Sequence, residues 1–336
     1  MTRPTSSAVD FLPTADVLLR DPRLVYTLRL AVLGLWTRFE TNSRYVYDVM
    51  EDAFGRWRGL GGVEAPPSAG DLRVRVVVRE GNEDDSSHAP VRYLCPDDIR
   101  VILHSPGSVA VSDPSLGESV AFVTTALAAD RAHFRLTVLE AITLALLSHF
   151  DRHPIHAAAI AHSGRAVLLT APSGTGKSTL SYMAHAAGLD VLGEDHVWVQ
   201  LTPRLRIWGW PGPVHLSPDV AVTIPDAARV GTTTSENGRN KIVINLDTIS
   251  ARSSPYADEA VVCILERGRD KPTLERLEPA TVTQLMVRQL TSGFDRFPAR
   301  NDAVIRALTM DGGWRLKLSD DPNDALPFLR RMLDEG

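Results

Sequence analysis

Apolar and polar positions alternate with period two through much of residues 72–127 and shift to helical spacing or unbroken apolar runs elsewhere. The alternating runs predict half-buried strands at LRVRVVV (72–78), VRYLC (91–95), IRVILH (99–104), SVAVS (108–112) and SVAFVTTAL (119–127). Ahead of them, Leu28 to Thr37 (LRLAVLGLWT) reads as one strand. Val46, Val49, Met50, Ala53, Phe54 and Trp57 then recur at helical spacing, with Asn42 or Ser43 placed to cap the start. Gly59, Gly61 and Gly62 end that helix, and GNEDDSSHAP (81–90) is a polar loop. Residues 1–128 therefore read as a smaller, mostly β (α+β) N-terminal domain, and no catalytic constellation is visible in it.

Near residue 128 the pattern changes. A helix is expected from about Arg131 to Phe150, apolar nearly all round in its second half and so buried between layers. Ala166 to Thr170 (AVLLT) reads as a buried strand, followed by a glycine loop, a helix opened by Lys177 and ended by Gly188, and a short strand at Leu189 to Leu192. Paired strands are expected at HVWVQL (196–201) and LRIWGW (205–210), and a polar loop at GTTTSENGRNK (231–241). Strands follow at 242–246 and Ala260 to Glu266, helices at Thr281 to Leu290 and Asp302 to Leu308, a last strand at 314–319 and a closing helix at 323–334. Strand, glycine loop, helix and strand in that order predict an α/β domain over 129–336.

Composition narrows the class. The 336 residues are 44% hydrophobic and 23% charged, as expected of folded domains with a sizeable core. A net charge of −5, without a Lys/Arg cluster on one face, argues against a nucleic-acid partner. Cys95 and Cys263 form no CxxC pair, so neither a disulfide framework nor a thiolate zinc site is indicated, and both read as buried structural thiols. The first residues lack the apolar core of a signal peptide, and the most apolar helical run, Val138 to Phe150, is too short to span a bilayer. The expectation is a cytoplasmic protein with no membrane partner.

The candidate chemistry begins in APSGTGKS. It fits G-x-x-x-x-G-K-[ST] except that Ala171 replaces the first glycine. Gly174 and Gly176 let successive backbone N–H groups turn inward, and the helix N-terminus adds partial positive charge. Ser173, Gly174, Thr175, Gly176, Lys177, Ser178 and Thr179 are therefore the candidate nucleotide-binding residues. Lys177 can reach the β- and γ-phosphates, and the Ser178 hydroxyl can ligate Mg²⁺. Downstream, Glu194 and Asp195 end the 189–192 strand, and in a parallel sheet they point to the same rim as the loop. One carboxylate there can hold Mg²⁺ and the other can accept the proton of an attacking hydroxyl. His149, His153 and His156 have spacings that suggest a metal, but Pro154 breaks the helix between them. A histidine facing the γ-phosphate is the better use of His156.

His156 fifteen residues ahead of Ala171, then APSGTGKST, then GED after one helix and one strand, resembles the core of the HPr kinase/phosphorylase family. That family reads H-G…G-D-S-G-x-G-K-S…A-D-D over similar spacing, and the resemblance covers about residues 150–215 well. It implies a P-loop kinase fold related to phosphoenolpyruvate carboxykinase, moving phosphate from ATP with Mg²⁺ to a serine hydroxyl of a protein. By that resemblance Glu194 takes the general-base position, Asp195 the Mg²⁺-binding position beside Ser178, and His156 assists at the phosphate with Lys177. The family's E-I-R-G-x-G segment is met only by RIWGWPG, Arg206 to Gly212. The chain thus looks more like divergent HPr kinase-like proteins, some of which occur with ribosomally made peptides, lasso peptides included. The partner implied is a peptide or protein with an acceptor hydroxyl, and the resembling kinases form oligomers.

Other residues stay open at this level. Trp208, Trp210 and His215 can line a substrate groove or form a small aromatic core. Arg239, Lys241, Arg296 and Arg300 can neutralise phosphate charge or sit on solvated loops. The reactions compatible with the motif are transfer to a peptide or protein, transfer to a small molecule, and ATP binding without transfer. The chain has no LSGGQ-like segment and no NKxD motif, which disfavours ABC-type ATPases and GTPases.

Overall fold

The computed structural model describes residues 10, 22–59, 70–81, 91–94, 99–105, 107–210, 212–218, 232–236, 239–244, 255–268, 270–288 and 298–335. Cys95, Arg296 and the Arg239 side chain lie outside the described residues. The chain forms two compact units, Met1–Phe150 and Asp151–Gly336, and it is a mixed α/β protein with several sheets. No helix among the described residues is long and apolar enough to cross a membrane.

The first unit holds a seven-stranded mixed sheet. Its order is Tyr26–Val32, Leu35–Thr41, Leu72–Arg79, Glu118–Thr124, Ser108–Asp113, Arg100–Ser105 and Arg92–Leu94. The run expected as one strand over 28–37 is instead a hairpin. Leu33 and Gly34 take φ of 47° and 78°, and Gly34 N–H closes the turn on Ala31 C=O at 3.2 Å. Positive φ at both central residues suits the right-handed twist of the flanking strands, but an all-apolar run gives no polar break to mark it. The helix Arg44–Phe54 is capped by Ser43, whose Oγ accepts from Val46 N–H at 3.3 Å. Asn42 does other work: its amide bonds both N–H and C=O of Val78 at 2.8 Å, extending the sheet ladder with a side chain. Phe39 and Phe54 stack at 4.4 Å between sheet and helix.

The expected single helix over 131–150 is segmented into Arg131–Phe134, a π-helical turn Arg135–Glu140 and Ala141–Ser148. The wider turn brings residues five apart together, and Arg135 Nε donates to Glu140 Oε1 at 2.7 Å. These helices pack on the first unit. Ser119 Oγ donates to Ile142 C=O at 3.2 Å, and Arg131 bonds Asp48 C=O and pairs with Asp52.

The second unit is built on a six-stranded sheet ordered Asp190–Gly193, Ala158–His162, Arg165–Thr170, Glu259–Arg267, Gly313–Leu318, Thr273–Leu277. Its three consecutive members Arg165–Thr170, Glu259–Arg267 and Gly313–Leu318 run parallel, and both flanks are antiparallel. Both faces are covered. Val167, Leu169 and Cys263 pack under the helices Lys177–Ala186 and Leu326–Asp334. Ala166, Leu168, Val262 and Ile264 pack on the other side against Pro279–Arg288, Pro298–Thr309 and a second sheet. Two covered faces explain why AVLLT reads as an unbroken apolar run. Burial pushes the Cys263 thiol far up, so it stays protonated.

The second sheet has four strands, ordered Tyr256–Ala257, Arg206–Gly209, Val197–Gln200, His153–Ile155. Trp208 belongs to its core: the ring is 1% exposed and Nε1–H donates to Gln200 Oε1 at 2.9 Å. A third sheet joins Val214–Leu216 to Arg239–Ile244 and Thr232–Glu236. Much of the stretch expected as a polar loop over 231–241 is therefore hairpin, with Thr and Ser supplying strand positions that an apolar pattern does not reveal.

Candidate active site

Two places where the chain steps between the six- and four-stranded sheets come together at one corner. His156 and Ala157 link His153–Ile155 to Ala158–His162, and Glu194, Asp195 and His196 link Asp190–Gly193 to Val197–Gln200. Register fixes the meeting, because Ile155 lies opposite Val197 in one sheet and Ala159 opposite Gly193 in the other. The sequence reading placed the acids on a parallel neighbour of the loop strand. Instead Asp190–Gly193 is an edge strand, antiparallel to Ala158–His162, which is itself antiparallel to Arg165–Thr170. Two reversals restore the direction, so the acids still end at the rim where the loop begins.

The turn after Gly193 is tight. A Cβ on Gly193 would lie 2.4 Å from His196 C=O and 3.2 Å from Val197 Cγ1. Only the bare backbone fits, and this closeness projects the side chains of Glu194, Asp195 and His196 from consecutive positions.

On the other side of the corner the chain turns through Ala171–Gly176 into the helix Lys177–Ala186. Gly174 and Gly176 have φ of 82° and 123°, a region closed to ordinary side chains. Gly176 is the N-cap and supplies no side-chain hydrogen bond to the helix start. Ala171 is buried, Ser173 is exposed, and Thr175 Oγ1 donates to Pro172 C=O at 2.9 Å. Lys177 folds back over the loop, with Nζ donating to Ala171 C=O at 2.7 Å. Burial lowers its pKa, against the opposing pull of Asp195 and Glu194.

The two carboxylates separate. Glu194, with a side chain 11% exposed, accepts a hydrogen bond from Ser178 Oγ on Oε1 and lies 3.7 Å from His215 Nδ1 through Oε2. Asp195, 57% exposed, lies 3.6 Å from His156 Nδ1 through Oδ1. Of the two, Glu194 is thus the carboxylate that meets the Ser178 hydroxyl.

His196 completes the corner, its ring 5.5 Å from that of His156 and 6.5 Å from Trp198. Burial lowers its pKa, and Asp195 works against the shift while His156 adds to it. Its place directly after GED is the one signal of it in the sequence. Arg267, at the end of the strand parallel to Arg165–Thr170, is a further residue at the loop and donates from Nε to Gly174 C=O at 3.2 Å. Its strand-end position was the available signal.

Beside the loop lies a cavity of about 280 Å³, lined among others by Thr175, Gly176, Thr179, Arg267, Ser319 and Asp320. Arg300 and Lys241 are partly buried. His153 bonds Asp151 at 2.9 Å rather than joining His156 in a histidine cluster.

No family model and no curated protein matches the chain. Among solved structures it is similar to the HPr(Ser) kinase/phosphatase from Coxiella burnetii, at 14% identity and a TM-score of 0.29, over 55% of this chain and 100% of that one.

Proposed function

We propose that the second unit is an ATP-dependent phosphotransferase that moves the γ-phosphoryl group to a hydroxyl, with the serine of a peptide or protein as acceptor. The observation that carries this is the convergence of Lys177, Ser178, Glu194, Asp195 and His156 at one rim.

The donor set fits a magnesium nucleotide. The loop offers backbone N–H groups at an uncapped helix start, a folded-back Lys177 and an all-oxygen pair, Ser178 and Glu194. Mg²⁺, when bound, supplies charge neutralisation on the phosphates. Lys177 neutralises and positions the polyphosphate, and Arg267 braces the loop at Gly174. Thr175 and Thr179 open onto the cavity of about 280 Å³, which suits the nucleoside. We infer that Glu194, rather than Asp195, serves the metal, since it already meets Ser178. Asp195 then accepts the proton of the acceptor hydroxyl, with His156 orienting it. The acceptor oxygen forms the new bond to phosphorus as the bond to the β-phosphate oxygen breaks, leaving ADP.

An open corner supports a peptide acceptor over a small molecule. Asp195 is more than half exposed. Incubation with γ-labelled ATP and an extract of the source cells tests the reading, with products separated into protein, peptide, small-molecule and free-phosphate fractions. Label in peptide or protein, lost in Asp195→Asn, supports it. Label in a small molecule changes the acceptor class, and no transfer by an ATP-binding protein leaves a nucleotide-gated module.

A further inference from the structure

The corner carries two sets of potential cation ligands of different chemistry, which meet at the adjacent residues Glu194 and Asp195. Ser178 and Glu194 offer oxygen only. His156, Asp195 and His196 offer two imidazole nitrogens and one carboxylate oxygen, and their ligand atoms all lie within 4.8 Å of one another. Hard Mg²⁺ favours oxygen, whereas imidazole suits zinc and its first-row neighbours. Two imidazoles with one carboxylate and an open fourth position are also a recurrent zinc donor set.

We propose that His156, Asp195 and His196 form a binding site for a divalent transition ion of the zinc class, and that filling it inhibits phosphoryl transfer. The inhibitory half rests on the function proposed above, because the ion would occupy the carboxylate and imidazole needed to take the acceptor's proton. The binding half does not depend on that function.

The geometry is close to what such an ion requires. Ligand atoms at about 2.0–2.2 Å from a tetrahedral ion lie roughly 3.4 Å from one another. His156 Nδ1 and Asp195 Oδ1 already stand 3.6 Å apart. The paired strands on either side of each step hold the two backbones together. His156 and His196 are partly buried and Asp195 is open to solvent, so the fourth position faces outward. Glu194 adds negative charge nearby and Lys177 opposes it. A bound ion would therefore compete with the charge of Lys177 and be favoured by both acids.

The test uses the full chain freed of metal by a chelator. Zinc content after dialysis and the visible absorption of added Co²⁺ report binding, and transfer in Mg²⁺–ATP with and without Zn²⁺ reports inhibition. The expected result is one zinc per chain, a Co²⁺ spectrum with nitrogen ligation, and inhibition reversed by chelator. His196→Gln should bind zinc at least about 10-fold more weakly, and the transfer it retains should escape zinc inhibition. His196→Cys, which restores a zinc ligand, should recover binding. No binding by the wild type, or equal binding by His196→Gln, overturns the site. Zinc inhibition that survives in His196→Gln places the ion on Ser178 and Glu194 and overturns it equally. Binding without inhibition overturns the inhibitory half. Should no transfer to any acceptor be found, the Co²⁺ and zinc readouts still decide the site, so its failure and that of the kinase reading remain distinguishable.

Discussion

Ser178 Oγ donates a hydrogen bond to Glu194 across sixteen residues of sequence, while the adjacent Asp195 turns to His156. One pair looks inward at the glycine loop and the other outward to solvent. This division assigns different consequences to two neighbouring substitutions. Asp195→Asn should leave ATP binding intact and lower transfer by about 10²–10⁴-fold, the usual contribution of a general base. Single-turnover transfer beside equilibrium ATP binding checks it.

Lys177 is costly to the fold, and in the proposed function the nucleotide needs it. Its ammonium is buried against Ala171 C=O, and burial lowers its pKa below the ordinary 10.5. Lys177→Met loses a charge-assisted hydrogen bond but also relieves a buried charge. Stability should stay within about 1 kcal/mol of wild type, the two effects offsetting. ATP affinity should fall by at least about 10-fold, from loss of a charge-assisted contact to phosphate. Thermal melts with and without ATP separate the two.

Gly193 supports the corner by what it lacks. In Gly193→Ala the new methyl meets His196 C=O, and the backbone must move. The expected cost is about 1–3 kcal/mol, in the range for overpacked sites. Because Glu194 and Asp195 follow directly, transfer should drop further than stability explains. Urea unfolding and kcat measured on the same variant give the comparison.

Asp151 ties the start of the second unit to the 201–202 turn. Burial pushes its carboxyl up, but the His153 ring and the N–H and hydroxyl donors of Thr202, with Leu201 N–H, outweigh burial and hold it below the ordinary 3.8. A depressed carboxyl contributes stability that is full above the unfolded value and is lost as pH falls through the folded one. Asp151→Asn keeps the tolerance for the observed φ of 58° while removing the charge. It should lower stability at pH 7 by about 1–3 kcal/mol and flatten the acid limb below about pH 4. Chemical denaturation from pH 7 to pH 3 measures both.

The glycine loop, its flanking strand and helix, and the acids after them were legible because each rests on local chemistry: glycine φ, helix polarity and an apolar run between two covered faces. Legibility ended where tertiary pairing decides. The stretch HPIHAAAIAH carries two strands in two sheets, yet its alanines give no β-propensity signal and its kink at His156 follows from a change of sheet. Without that kink, His196 had no partner to reveal it. Trp208 looked as suited to a groove as to a core, and only its bond to Gln200 and its packing beside Arg206 place it inside. The π-turn at Arg135–Glu140 is likewise invisible in an apolar run, although the Arg–Glu spacing of five was there to see.

Calorimetric titration of the full chain with ATP, with and without Mg²⁺, tests the central claim most directly. The account predicts saturable binding that Mg²⁺ tightens in the wild type and in Asp195→Asn but not in Glu194→Gln. A folded wild type that binds no ATP would contradict it, as would a Mg²⁺ effect that survives in Glu194→Gln and disappears in Asp195→Asn.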